Sequence, residues 1–230
     1  MRHRTKNIDC YKNSEEKIWL NIASSHQVLE NFVNIDNSLF LSASNLFRRF
    51  PLSKKLLPGK HREIIELYNR AKKKAILLRC NCKNPLPFPD GSVDHILCSH
   101  FLEHVFLCEA KKIIRNFYRV LKPEATLHII VPDLKLQAKE YLSKSDNGEG
   151  SAADKFVKMT LLSRESKPSL KYRILEFSGS FGLQHRWMYD YLSIKEKLQE
   201  SGFVVFDGNS TPSSQYRLND GSVHVVARKA

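Results

Sequence analysis

Several features that define other protein classes are missing from this sequence of 230 residues. No apolar run approaches the roughly 18 residues that a membrane-spanning helix needs, so a transmembrane protein is not expected. The charged residues 1–9 have no apolar stretch after them, unlike a secretory signal, so the sequence predicts a cytoplasmic protein. Internal repeats and low-complexity tracts are also lacking. With 42% apolar and 27% charged residues, the composition excludes a disordered, collagenous or coiled-coil chain.

Cysteine is scarce, and the five residues are Cys10, Cys80, Cys82, Cys98 and Cys108. Their odd number and mostly apolar, strand-like settings argue against a disulfide framework. A single residue separates Cys80 from Cys82, whereas zinc sites have two to four, and no second pair follows. The sequence therefore predicts structural thiols and no metal.

Positive charge is abundant and unevenly distributed. The formal net charge is +13, and residues 48–79 contain 11 Lys or Arg against 2 Glu. Such a segment could attract nucleic acid, anionic lipid or another phosphate-rich partner, or it could be a solvated helix face. No zinc-finger, helix-turn-helix or RNA-motif pattern accompanies it, so nucleic acid is not the favoured partner.

Apolar runs alternate with amphipathic stretches along the chain, which predicts strands alternating with helices. The predicted strands are 17–22, 31–36, 75–79, 93–99, 126–131, 203–206 and 222–228. Helices are predicted at 60–74 and 109–121, after a cap at Asp133, and from a capping box at 193–196 to Gly202.

We expect one domain, 1–230, with an N-terminal extension at 1–16. The polar residues 143–152 predict a mobile loop, and 153–192 a helical insertion near the acceptor site. Alternating strands and helices favour a mostly parallel α/β sheet that is covered on both faces. In such sheets, ligands bind at the carboxyl ends of the strands.

Four stretches carry a family resemblance: LPFPDGSVDHILCSHFLEHV, EAKKIIRNFYRVLKPEATLHIIVPDL, HRWMYDYLSIKEKLQESGF and SVHVVARK. Together they resemble class I S-adenosylmethionine-dependent methyltransferases of the type 11 group, particularly members associated with polysaccharide biosynthesis. The similarity runs from about residue 17 to 229. It implies S-adenosylmethionine as cofactor and a Rossmann-like three-layer sandwich, whose seven-stranded, mostly parallel sheet has an antiparallel last strand.

The resemblance also implies a cofactor site with one departure from the family. The first-strand motif reads approximately LNLGxG in the family, but LNIASS at 20–25 here, so both glycines are replaced. A Cβ in the left-handed geometry of such a turn costs about 1–2 kcal/mol. The cofactor-binding residues implied are Asn21, Ala23, Ser24, Ser25, Asp36, Asn81, Cys82, Ser99 and His100.

Three histidines are the catalytic candidates, since methyl transfer to a hydroxyl is helped by a base that works near neutral pH. The resemblance places His100, His104 and His185 at the site, with Glu103, Arg186, Tyr189 and Asp190 as substrate-binding residues. The expected acceptor is a small molecule, with a hydroxyl of a sugar or glycan intermediate favoured and a phosphorylated acceptor as one option.

Other functions stay open at this point. Loss of the motif glycines would suit a catalytically silent binding protein with a methyltransferase fold. The basic segment would suit a nucleic-acid methyltransferase, although the motifs for amino-directed and cytosine C5 chemistry are missing. His100-Phe-Leu-Glu103-His104 also matches the HxxEH pattern of zinc peptidases, which requires a long helix. Here the pattern follows a predicted strand directly.

Overall fold

The structure is a computed structural model that describes residues 8–25, 27–38, 41, 44, 59–167, 169–170, 184–206, 216 and 220–230. The strands are β1 (Trp19–Ile22), β2 (Val33–Asp36), β3 (Ile76–Arg79), β4 (Val93–Ser99), β5 (Leu121–Pro132), β6 (Phe203–Phe206) and β7 (Ser222–Lys229). The longer helices are α1 (Gly59–Ala71), α2 (Leu107–Val120), α3 (Leu134–Asp146), α4 (Ala152–Thr160) and α5 (Tyr191–Gln199). Single 3₁₀ turns lie at Asp9–Tyr11 and Leu102–His104.

The strands form one seven-stranded sheet in the order β3-β2-β1-β4-β5-β7-β6. Neighbouring strands from β3 to β5 pair in parallel, and β7 pairs antiparallel with both β5 and β6. The predicted α/β class with a reversed last strand is thereby confirmed. Because β1, β2 and β4 are parallel, their carboxyl ends meet at one edge of the sheet, and the antiparallel β7 begins at that edge.

The central strands are buried almost continuously, so both faces of the sheet are covered, as parallel sheets require. In β4 the side chains of Val93, His95, Ile96, Leu97 and Cys98 are all buried. One face packs against α2 and α5, whose buried side chains include Ile113, Phe117 and Ile194. A smaller cluster of Phe32, Leu97 and Ile130 lies on the other face.

Several predicted boundaries are corrected. β5 begins at Leu121, directly after α2, because Leu121 pairs with Val93 before a register shift in β4. Residues 143–146 lie in the last turn of α3, so the predicted loop is shortened to 147–151. Asp133 caps α3 as predicted, accepting a hydrogen bond from the Lys135 N–H.

The predicted capping box at 193–196 is wrong. α5 begins at Tyr191, and its cap is Asp190, whose carboxylate accepts a hydrogen bond from Ser193 N–H at 2.8 Å. Ser193 Oγ accepts in return from the Asp190 N–H, so Ser193 occupies the third helical position instead of the cap. Asp190 and Ser193 are three residues apart, as are Ser193 and Glu196 in the predicted box. Spacing alone therefore does not distinguish the two caps.

Parts of three predictions lie outside the described residues: the extension at 1–7, the basic segment at 48–58 and the insertion at 171–183. Within the described residues, no helix combines the length and apolar character needed to cross a membrane. All five cysteines are free thiols.

Candidate functional site

The turn after β1 has left-handed backbone at both positions where the resembled motif has glycine. Ala23 has φ +52° and Ser25 has φ +47°. Residues with a Cβ rarely adopt this conformation, because Cβ crowds the following carbonyl. The shape of a glycine turn is therefore kept here without glycine, by residues with the smallest side chains available.

Two buried asparagines hold this turn in place. Asn21 on β1 donates from Nδ2 to Asn34 Oδ1 on β2 and to the carbonyl of Gln27, both at 2.9 Å. Asn34 in turn pairs with the backbone of Leu29 through both its Oδ1 and its Nδ2. Asn34 was not identified from the sequence. An asparagine inside a buried strand was the available signal, since buried amides require partners.

The Asp36 carboxylate ties the end of β2 to the turn after β1. Its Oδ2 accepts a hydrogen bond from Ser25 N–H at 2.7 Å, and its Oδ1 accepts from the N–H of Ser38. Asp36 thus lies where the resemblance expects a ribose-binding acid, and it also stabilises the backbone around it.

The segment after β3 brings Cys82 into contact with the same turn, next to Asn81 in sequence. Asn81 Oδ1 accepts from Lys83 N–H at 3.0 Å. The Cys82 thiol is 3% exposed and accepts a hydrogen bond from the Ala23 N–H. Burial raises the pKa of Cys82, so the side chain is an uncharged packing group in contact with the turn.

Two hydroxyl groups at this edge are buried and unsatisfied. Ser24 Oγ, in the turn after β1, and Ser99 Oγ, at the end of β4, have no hydrogen-bond partner among the described residues. A buried hydroxyl without a partner is unfavourable unless a ligand or water supplies one. These donors, together with the Asp36 carboxylate, fit a polar ligand such as S-adenosylmethionine at this edge.

His100 follows β4 directly and also has left-handed backbone, with φ +50°. Its Nδ1 lies 3.2 Å from Glu103 Oε1, although the two are not aligned for a hydrogen bond. Its Nε2 lies 3.2 Å from Ser222 Oγ and 3.7 Å from Asp220 Oδ2. Burial acts to raise the pKa of Asp220, but hydrogen bonds from Ser222 and the nearby His100 and His224 together lower it.

Asp220 and Ser222 were not identified from the sequence as site residues. They come from the far end of the chain, and the antiparallel pairing of β7 with β5 places Ser222 opposite Pro132. That register brings the start of β7 to the carboxyl end of the parallel strands. Strand order and direction had to be known before this contact could be foreseen.

The segment 184–190 docks on the 3₁₀ turn that contains Glu103 and His104. The N–H groups of Arg186 and Trp187 both donate to the Glu103 carbonyl, at 2.7 and 3.2 Å. The His185 ring consequently lies 4.9 Å from the His104 ring, at an interplanar angle of 72°. Burial lowers the pKa of His185, an effect that the nearby Glu103 opposes.

The remaining predicted substrate-binding residues have structural contacts. Arg186 stacks over the Phe106 ring, with its guanidinium carbon 4.5 Å from the ring centre. Tyr189 is fully buried and bridges to Asp133, and Asp190 caps α5. Burial also raises the pKa of Tyr189. Their contacts with a substrate stay a prediction.

A cavity of about 310 Å³ lies at the opposite edge of the sheet, lined by Lys17, Trp19, Asp94, His95, Lys122, Pro123, Glu124, Ala125 and Thr126. These residues belong to the starts of β1 and β4 and to the first half of β5. Ligands of open α/β sheets bind at the carboxyl ends of the strands, so this cavity is not the candidate site.

Comparisons with known proteins found one matching family and several solved structures with a similar fold. Residues 61–129 match the family of methyltransferase domains. No curated protein matches the chain. A solved structure from Pyrococcus horikoshii OT3 superposes with a TM-score of 0.52 at 13% identity, covering 94% of this chain and 84% of that chain. A SAM-dependent methyltransferase from Methanosarcina mazei superposes with a TM-score of 0.49 at 19% identity, covering 97% of each chain.

The superposition on the Pyrococcus horikoshii protein shows that the two chains share a fold. The domain match covers α1 to the middle of β5, and so includes β4 and the HxxEH residues that follow it. Over residues 61–129 the chain therefore matches a methyltransferase domain, and this match supports S-adenosylmethionine as the cofactor.

Proposed function

We propose that this protein transfers a methyl group from S-adenosylmethionine to a hydroxyl of a small-molecule acceptor, with a sugar or glycan intermediate as the favoured class. The observation that carries the proposal is the turn after β1. Ala23 and Ser25 both keep left-handed backbone, and the turn is bonded to Asp36 at the end of β2. A strained geometry that the surrounding structure maintains is a common feature of ligand sites.

When bound, S-adenosylmethionine supplies a methyl group activated by a sulfonium leaving group. Ser24, Ser99 and Asp36 would hold this cofactor, whose methyl carbon would pass to the acceptor oxygen while the electron pair of the carbon–sulfur bond would stay with sulfur. The hydroxyl proton must go to a base. The protein's main contribution is alignment of the two reactants, with a smaller contribution from removal of the proton.

His100 is the base we assign. It follows β4 at the carboxyl edge of the sheet, next to the unsatisfied Ser99 hydroxyl. The Glu103 carboxylate lies 3.2 Å from His100 Nδ1, close enough to help orient the ring. Arg186 and the Lys and Arg residues of the basic segment would favour an acceptor that carries phosphate.

Calorimetric titration with S-adenosylmethionine and S-adenosylhomocysteine tests the cofactor site. Wild-type protein should bind both, and Asp36→Ala should lose binding, because it removes the carboxylate that we assign to the ribose hydroxyls. An acceptor screen would then begin with phosphorylated and free sugars, following methyl transfer from labelled cofactor.

Asp94→Ala is the matched control for this experiment. Asp94 also accepts a backbone hydrogen bond, from Ile18 N–H at 2.9 Å, and pairs with Lys122 at 2.6 Å, but it lies at the opposite edge of the sheet. Its variant should lose stability without losing cofactor affinity. If the folded wild-type protein binds neither compound, the enzyme proposal fails and a catalytically silent binding protein becomes the better account.

A further inference from the structure

Glu103, His104 and His185 form a cluster with metal-ligating side chains. One ligand atom from each residue lies within 4.8 Å of the others. The cluster joins the 3₁₀ turn after β4 to the segment that precedes α5, so two distant parts of the chain meet here. Among the described residues, no other group of three such side chains has this proximity.

Two side chains of this cluster are buried although their polar atoms lack hydrogen-bond partners among the described residues. Glu103 is 0% exposed, and neither carboxylate oxygen has a hydrogen-bond partner among the described residues, although His100 Nδ1 lies 3.2 Å from Oε1. His185 is 6% exposed, and its Nδ1 also lacks a partner within the described part of the chain. A buried carboxylate without hydrogen bonds is costly, and a bound cation is one of the few ways to compensate it.

The outer hydrogen bonds of both histidines direct a lone pair into the cluster. His104 Nδ1 lies 3.4 Å from the Gln184 carbonyl, which can only accept, so the neutral ring keeps its lone pair on Nε2. The His185 ring bonds to the Thr160 carbonyl, and because Nδ1 has no partner, this bond belongs to Nε2. Metal-bound histidines almost always donate their second nitrogen in this way.

The donor set selects the class of ion. Two imidazoles and one carboxylate are the ligands of catalytic zinc sites and of related first-row ions, whereas Mg²⁺ and Ca²⁺ prefer oxygen ligands. Metal–ligand bonds of about 2.1 Å place tetrahedral ligand atoms about 3.4 Å apart. The cluster would therefore tighten by about 1 Å on binding, and rotation of the half-buried His104 can provide this movement.

We propose that Glu103, His104 and His185 bind one divalent transition-metal ion, with Zn²⁺ as the ion that best matches the donors. The sequence predicts no metal, because the cysteines lack zinc-site spacing and the HxxEH pattern follows a strand instead of lying in a long helix. In the structure His100 is not helical and faces Glu103, while His185 takes its place as the second imidazole.

Three protein ligands leave at least one coordination position of the ion open. An acceptor hydroxyl could occupy this position, and the ion would lower the pKa of that hydroxyl. This catalytic role rests on the proposed methyl transfer. The binding of the ion does not rest on it.

The test is titration of the chelator-treated, full-length protein with Zn²⁺ and with Co²⁺. One ion per chain is expected. Glu103→Gln and His185→Gln should each weaken binding by at least about 100-fold, because even outer-shell changes cost 10–100-fold. Cobalt bound by nitrogen and oxygen should lack the charge-transfer absorption that thiolate ligands produce.

Three controls keep the result interpretable. His224→Gln removes a histidine from β7, outside the cluster, and should leave the affinity unchanged. Cys10→Ser with Cys108→Ser removes the two exposed thiols, and should also have no effect. If a buried variant does not fold, as judged by circular dichroism, His104→Gln provides the same test at a less buried position.

Equal affinity in wild type and the cluster variants, or no stoichiometric ion in folded wild-type protein, would overturn the proposal. The cofactor titration separates this outcome from a failure of the proposed function. Asp36→Ala should keep the metal while losing S-adenosylmethionine. A protein that binds cofactor but no metal would contradict only the metal site, and the opposite result would contradict only the methyltransferase.

Discussion

Individual residues at this site adopt conformations that are unfavourable in isolation. Seven described non-glycine residues have positive φ, and three of them, Ala23, Ser25 and His100, directly follow the carboxyl ends of β1 and β4. The surrounding hydrogen bonds maintain these conformations: Ser25 N–H donates to Asp36, and His100 N–H donates to the Ile130 carbonyl at 2.9 Å. Three strained positions therefore lie where ligands of this fold bind.

Replacing these residues with glycine should raise the free energy of unfolding. Ala23→Gly and Ser25→Gly should each stabilise the protein by about 1 kcal/mol, because relief of a 1–2 kcal/mol conformational penalty exceeds the added entropy of the unfolded chain. Urea denaturation at constant pH measures the change.

Ala138→Gly is the comparison for this measurement. Ala138 lies in the middle of α3, where glycine should destabilise the protein by about 1 kcal/mol. Destabilisation of similar size at positions 23 and 138 would contradict the conformational argument.

At the scale of elements, caps and short turns determine which side chains meet. Asp190 ends the segment 184–190 by capping α5, while the same segment donates two backbone hydrogen bonds to the Glu103 carbonyl. The segment is thereby anchored at both ends. This anchoring holds His185 beside Glu103, so helix capping contributes to the geometry of the candidate site.

Two substitutions at Asp190 separate capping from substrate binding. Asp190→Ala should lower the free energy of unfolding by about 1 kcal/mol, whereas Asp190→Ser, which retains a capping oxygen, should have little effect. If Asp190 only caps the helix, the serine variant should keep the wild-type kcat/KM for the proposed methyl transfer. A selective rise in KM for the acceptor would instead support the predicted substrate contact.

At the scale of the whole molecule, the sheet buries histidines that have no role in the proposed site. His95 on β4 lies against Phe32 and Thr126, with its Nδ1 2.7 Å from Thr126 Oγ1. Burial, aided by the nearby His128, lowers the pKa of His95 to about 3. His128 is itself buried and lies 3.2 Å from His224 across β5 and β7.

This burial predicts loss of stability in acid. Because the folded pKa of His95 is below the unfolded value of 6.5, the unfolded chain binds a proton first as pH falls. This contribution to stability is fully present above pH 6.5 and is lost progressively as the pH falls toward 3. The loss amounts to about 2 kcal/mol at pH 5. His95→Gln should reduce the difference in unfolding free energy between pH 7.5 and pH 5 by that amount. An unchanged difference would show that other groups control acid stability.

The sequence was sufficient for much of the fold. Runs of apolar residues located all seven strands, and their alternation with helical patterns predicted the α/β class, because periodicity and burial follow from local sequence. Boundaries were less accurate. Tertiary pairing extended β5 back to Leu121, and two overlapping capping patterns near 190–196 could not be ranked without the structure.

Residues that carry local chemistry could also be predicted. Asp36, Ser99 and His100 were placed correctly at the ends of their strands, because the strand bounds follow from local apolar runs. What only the tertiary structure decided is which distant residues join them. The reversal of β7 brings Asp220 and Ser222 to His100, and the docked segment 184–190 brings His185 to the buried Glu103. Such contacts depend on strand order and long-range packing, for which a single sequence carries no local signal.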